Sequence, residues 1–544
     1  MEAGEEIIED DDVDEAPDDR GQFDIRNANR DDLRRNVVNQ SSRKAYHRLL
    51  GKFICYLYQD AVLNQLITPA FEAALDDAEC TEVFAREYLE GAPANPPLLF
   101  EDLREEHIMR WILSIRKGNG DEVPGIDYLS QHRSAVFHLF RLYDQARVYQ
   151  RNIEQEIEIA FAAYRRLRAI NTQHGEGNVQ VGKTPMEFGM YEQLAKSLLS
   201  TGTTASHRFA HLFLTLCWNL MSRAGSCENI HISHMSWKQD SMQIYFAHTK
   251  NDQAGMQSRH PRHIYANPVN PSICPILSLG IYWICNPFKV KADGTVEQRL
   301  FPGRYDQTPF ITYMFSYPVL TKSTQKFMLG DRQYNRFSNI LNSVLARPGV
   351  RELLAERGLH ASDIGTHSIR KGAATFASQG TTACPSLASI SNRAGWTMGQ
   401  VRDIYLRYEA AGDQYCGRVV SGLSIMSPQF ALTPPYFRER QNEHEILLIR
   451  RAIEVSFVNM PDRLRRIAEF ALASVVHHRN FLREVLAATH PLFSTPLFRT
   501  ANLLNELGAL VLCVLPNQQG ADGLAVTGRI EGCMIKSFII SFIF

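Results

Sequence analysis

His367, Arg370, Trp396 and Tyr405 follow one another in the stretch GTHSIRKGAATFASQGTTACPSLASISNRAGWTMGQVRDIYLRYEAAGDQY, which runs from Gly365 to Tyr415. Attack on a phosphodiester calls for these side-chain types: cationic ligands for the non-bridging oxygens, a hydrogen-bond donor and a hydroxyl nucleophile. Thr366 is a good N-cap and Gly380 a good terminator, so the spacing predicts a helix from His367 to Gln379. His367 and Arg370 then share a face near its start, where free backbone N–H groups and the helix dipole favour an anion. Gly395 closes the next segment, and Thr397 with Gln400 makes a capping box for a helix over Met398–Tyr408. Three tyrosines lie close by. Tyr408 is near the centre of an apolar stripe with Val401 and Ile404, and Tyr415 lies beyond this helix. Tyr405 falls on the stripe's edge, where a hydroxyl can face a cleft.

The remaining cations of such a site lie upstream. The segment FAHLFLTLCWNLMSRAGSCENI is apolar with helical spacing and carries one basic residue, Arg223. IHISHMSW and MQIYFAHT then alternate on either side of a polar turn, and RHIYANP follows a second turn rich in Asn, Asp and Gly. A small antiparallel sheet is expected, with Lys250 at a hairpin tip from which it can reach into a cleft.

Arg223, Lys250, His367-x-x-Arg370, Trp396 and Tyr405, in this order, resemble the active-site set of the tyrosine recombinases. The lysine stands 27 residues after the first arginine and the tyrosine nine after the tryptophan. The wording of TKNDQAG, GTHSIRKGAATFA and RAGW is similar to that of recombinases from Crypton-type mobile elements. The likeness spans roughly residues 40 to 425. One position departs from the pattern: three residues after the first arginine, where the family often carries an acidic residue, stands Ser226, with Glu228 two further on. The resemblance implies strand exchange on double-stranded DNA, with no metal and no nucleotide cofactor. Arg223 and Arg370 would grip the phosphate, His367 and Trp396 would add donors, and Lys250 would protonate the leaving 5′ oxygen. Tyr405 would hold a 3′-phosphotyrosyl link. It also implies a helical DNA clamp before the catalytic domain and a synaptic homotetramer on DNA. A non-catalytic DNA-binding descendant and a type IB topoisomerase-like relaxing enzyme share parts of this pattern and stand as alternatives.

The expected fold class is mainly α with a small antiparallel sheet (α+β). Residues 1–24 are an acidic tail, 25–170 a helical block, 171–185 a polar linker, 186–425 the catalytic domain, 426–515 a helical extension, and 516–544 a tail of no assigned role. Four helices are expected in the block, the first over Asn39–Asp60; a DNA clamp and a plain bundle fit it equally. The first twenty residues carry eleven acidic side chains and one arginine, so the other 524 of the 544 hold +9 of a total of −1. A basic body behind an acidic tail suits salt-sensitive DNA binding. Ten cysteines without a CxxC pair point to reduced thiols and a nuclear or otherwise intracellular location. The acidic start is unlike a secretory leader, and no apolar run reaches the ~18 residues that span a bilayer. His231-x-x-His234 and His260-x-x-His263 lack a complementary cysteine pair, so no metal site is expected.

Overall fold

A computed structural model of the chain describes residues 38, 40–76, 79–91, 95–116, 124–143, 146–175, 182–246, 260–303, 333–379, 383–396, 410–515 and 526–527. They fall into two compact units, divided between Gly182 and Lys183.

The first unit is built from α1 (Gln40–Gln59), α2 (Pro69–Leu75), α3 (Glu82–Glu90), α4 (Glu105–Ser114), α5 (Ile126–Leu142) and α6 (Arg147–Gln173). Leu50, Phe53, Ile54 and Leu57 recur at helical spacing along α1 and are fully buried, giving it one apolar stripe. That stripe packs on α3 and α5, and Phe53 meets Trp111 of α4 at 4.7 Å. Gly51 permits the close approach of α3, because a Cβ there would stand 2.6 Å from the Glu82 carbonyl oxygen. Among the described residues, six helices replace the expected four. The two extra ones, α2 and α3, span 7 and 9 residues, too few turns for their periodicity to stand out. Threonine caps start both: Thr68 and Thr81 hydroxyls accept from the Phe71 and Phe84 amides.

The second unit contains α7 (Phe188–Ser200), α8 (Ala205–Leu220), α9 (Ala224–Glu228), β1 (Met235–Lys238), β2 (Ser241–Ile244), β3 (Arg262–Ile264) and α10 (Pro275–Cys285). There follow α11 (Gln333–Leu345), α12 (Pro348–Ala355), α13 (Thr366–Gln379), α14 (Leu387–Ala394) and α15 (Ala410–Val420). β4 (Tyr436–Phe437), α16 (Glu443–Ser456), α17 (Arg465–His477), α18 (Arg479–Val485), α19 (Pro496–Arg499), α20 (Ala501–Leu510) and β5 (Val511–Leu512) complete it. The fold is mainly α with small antiparallel sheets. α8 is the hub: every side chain from Arg208 to Leu220 is buried, as a helix apolar on nearly all sides requires, and α7, α10, α11, α13 and α15 surround it.

The expected three-stranded antiparallel sheet is present in the order β1-β2-β3. Lys238 pairs with Ser241 across a two-residue turn, in which Gln239 takes the left-handed φ of 53°. The alternation of IHISH does not make a strand: Ile232–His234 is a 3₁₀ turn leading into β1. Residues 443–512 do not fold apart from the rest. α17 lies against α10, and Trp237 of β1 stacks on Phe470 of α17 with ring centroids 3.8 Å apart. Gly280 lets α10 and α17 touch, since a Cβ there would lie 2.8 Å from both the Ala471 oxygen and Val475 Cγ2.

The last described residues return to this unit. Asp240, wholly buried in the β1–β2 turn, pairs with Arg418 of α15. The Thr527 hydroxyl donates to Asp240 Oδ1 at 2.6 Å and its amide to Oδ2 at 3.1 Å, while its carbonyl accepts from Arg418 Nε at 2.8 Å.

Gly280→Val is expected to cost the second unit about 3 kcal/mol by overpacking the α10–α17 crossing. In a thermal melt its whole transition should move down as one step. Early, separate loss of the 443–512 helices would contradict the shared core.

Candidate active site

Four segments meet around one cluster of guanidinium groups. α8 ends where Met221 turns left-handed (φ 48°), its amide closing on the Cys217 and Trp218 carbonyls. The chain then extends, and Arg223 (φ −66°, ψ 151°) stands at the start of the five-residue α9. Arg223 is therefore held at the break between two helices rather than on the end of one, and it is half-buried.

α13 carries His367 and Arg370. Two features seat it: the Met186 amide donates to the Ser368 carbonyl at 2.9 Å, and Gly372 sits so close that a Cβ would fall 2.0 Å from the Met186 oxygen. His367 is half-buried in the first turn, and Arg370, one turn on, is buried. The Arg370 guanidinium donates through Nη2 to the Ala394 carbonyl at 2.5 Å, at the negative end of α14. Gly395 ends that helix in the left-handed region (φ 67°), and the Trp396 amide returns to the Ser391 carbonyl at 2.9 Å. This brings the indole to 5.7 Å from Arg370 Cζ, within cation–π range, while leaving Trp396 42% exposed. An exposed indole N–H can still donate to a ligand.

A buried ionic network underlies these groups. Arg393, in the last turn of α14, donates through Nη1 to Asp413 Oδ1 of α15 at 2.6 Å. Its Nη2 donates to the Asn219 carbonyl of α8 and the His263 carbonyl of β3, each at 2.7 Å. Asp413 Oδ2 also accepts the His263 amide at 2.9 Å and lies 2.8 Å from His263 Nδ1. His263 Nε2 meets Gln243 Nε2 at 2.9 Å, which makes the ring nitrogen the acceptor there and puts the proton on Nδ1. Burial pushes the Asp413 carboxyl up, but Arg393 and His263 together hold it below the usual carboxylate range.

Arg262, which opens β3, was not singled out by its sequence. Its Nη1 donates to the Leu220 carbonyl at 3.3 Å, and its Cζ lies 4.6 Å from the centre of the Phe246 ring. Burial, then the charges of Arg393, Arg370 and Arg223, pull its pKa down to about 9, with Asp413 opposing them.

Of the six site residues read from the sequence, Arg223, His367, Arg370 and Trp396 fall among the described residues. Arg370 and Trp396 are in contact, and Arg223 and Arg370 share the electrostatic surroundings of Arg262. Lys250 and Tyr405, with the helix expected over 398–408, lie outside the described residues. Tyr415 is on α15, where its hydroxyl donates to the Ala383 carbonyl. Glu228 is buried and accepts the Gln333 amide at the start of α11. His231 and His234 stack at 5.4 Å, His263 is committed to Asp413, and among the described residues no three metal-ligating side chains gather. Arg393, Asp413, His263 and Arg262 were missed as site-building residues. Arg393 lies in the RAGW wording, but nothing in its spacing showed that it faces inward.

No protein-family model and no curated protein matches the chain. Solved structures similar to it include XerH site-specific recombinase bound to difH substrate in a pre-cleavage complex, at 13% identity and a TM-score of 0.31. The same recombinase bound to a palindromic difH substrate, in a post-cleavage complex, gives 13% and 0.30; each comparison covers 68% of this chain and 93% of the other. The functional reading is therefore argued from the residues.

Asp413→Asn leaves Arg393 buried without its counter-charge, and a loss of about 3–5 kcal/mol is expected. The wild-type carboxyl has a lower pKa folded than unfolded (about 3.9). Its contribution is thus complete above pH ~4 and lost as pH falls through the folded value. Denaturant titrations at a series of pH values should show this acid-side decline in the wild type and its attenuation in the variant.

Proposed function

We propose that the chain is a DNA strand transferase of the tyrosine-recombinase type, derived from a Crypton-like mobile element, with Tyr405 as nucleophile. The observation that carries this reading is the gathering of Arg223, Arg370 and Trp396, drawn from separate stretches of sequence, around one basic locus. Two guanidinium groups there can take the non-bridging oxygens of one phosphodiester bidentately and remain charged throughout the reaction.

The Tyr405 hydroxyl loses its proton, assisted by His367, and attacks phosphorus. The bond to the 5′ oxygen breaks as the phosphotyrosyl bond forms, and Lys250 supplies the proton to the leaving oxygen. Arg223, Arg370 and the Trp396 N–H oppose the charge that develops on phosphorus-bound oxygen. The link stores the bond energy, and attack by a second 5′ hydroxyl reverses each of these steps. In this reading the helical first unit contacts DNA, several copies assemble on it for exchange, and the protein acts where DNA is kept, in the nucleus.

Incubation with a nicked suicide duplex should trap a covalent adduct resistant to denaturation. Tyr405→Phe should abolish it, and Arg370→Ala should slow its formation by about 10²–10³-fold. DNA binding without any adduct would make the chain a non-catalytic binding protein. Relaxation of supercoiled plasmid by a monomer, without recombinant products, would make it a relaxing enzyme.

A further inference from the structure

We propose that Arg262 is a further DNA-phosphate ligand, a third guanidinium mounted between Arg223 and Arg370. The inference rests on the strand-transfer reading for the identity of the anion, and on its own geometry for the rest.

Arg262 bridges the two elements that carry the phosphate-binding residues. One end, Nη1, holds the Leu220 carbonyl, three residues before Arg223. The other end, Nη2, lies 3.5 Å from where a Cβ of Gly395 would stand, beside the Ala394 carbonyl that Arg370 grips and next to Trp396. A Cβ at 395 would stand in ordinary van der Waals contact with this guanidinium, so Gly395 and Arg262 are direct neighbours. The Phe246 ring lies 4.6 Å from Cζ, within cation–π range.

A structural role alone explains little of this placement. An arginine side chain carries five N–H donors, and the only side-chain hydrogen bond of Arg262 among the described residues is the 3.3 Å one to Leu220. No carboxylate pairs with it among them, because Asp413, the acid in its surroundings, is engaged by Arg393 and His263. Burial, and after it three like charges nearby, hold this cation at an energetic cost, and its lowered pKa records both. A phosphate arriving between Arg223 and Arg370 turns the repulsion into attraction. The contact is to the DNA backbone and carries no sequence information.

The salt dependence of duplex binding, measured by fluorescence anisotropy, reads this out. For Arg262→Gln and Arg262→Met, two neutral replacements of different packing, the slope of log K against log salt should shrink by about 0.9, one phosphate's worth. Arg262→Lys should keep the slope. Thermal melts of the free proteins identify any variant that fails to fold. An unchanged slope in the folded neutral variants, alongside a wild type that forms adduct, overturns the proposal and leaves the recombinase reading intact. A reduced slope in a protein that never forms adduct supports Arg262 as a phosphate ligand and removes the strand-transfer chemistry. A wild type with no salt-dependent binding removes both.

Discussion

The basic locus depends on the enclosed contact between Arg393 and Asp413. One guanidinium reaches the end of α8, the start of β3 and the side of α15, and one carboxylate returns to β3 through both the amide and the ring of His263. Both partners are nearly inaccessible to solvent. Such a pair contributes little net stability compared with well-packed apolar groups, but removing one half leaves a charge with nowhere to go. Its value lies in geometry: it fixes which ends of which elements meet, and thereby where Arg262, Arg370 and Trp396 stand.

Placing several cations together requires such a frame. Like charges at close range push apart, and surface side chains would simply swing into water. Here each is tethered: Arg370 by a helix-terminal carbonyl, Arg262 by Leu220 and an aromatic face, Arg393 by its carboxylate. Seating α13 against Met186 through Gly372 removes a remaining freedom, that of the helix to slide. On the proposed strand-transfer reading, the arrangement would be prepared for an anion before one arrives, which is where electrostatic catalysis gains most.

Local rules made much of this architecture legible. The helix expected over 367–379 is present and starts one residue earlier, at Thr366, and Gly395 turns left-handed as a helix terminator should. The three strands fall where period-two alternation and turn residues put them. What escaped was tertiary. Nothing local distinguishes Arg393 from a solvated arginine near a helix end, or Asp413 from a surface acid. Their meaning comes from partners 20 to 174 positions away. Short helices such as α2 and α3 were lost because two turns hold too few apolar positions. IHISH shows the opposite error: it makes a single antiparallel bridge, His231 to Arg299, before a 3₁₀ turn interrupts the strand. The helices after residue 443 could be seen but not placed, because the glycine that admits α17 lies far upstream on α10.

The return of Thr527 to Asp240 has a consequence for how the protein is made. The acid in the β1–β2 turn must wait on the ribosome until almost 290 further residues have been joined before its last donors emerge. At bacterial to eukaryotic elongation speeds of about 5–20 residues per second, that is roughly 15–60 s. α17, needed to cover α10, also arrives late. The helical first unit is complete long before, so a nascent chain presents its N-terminal third folded while its arginine cluster is still unassembled.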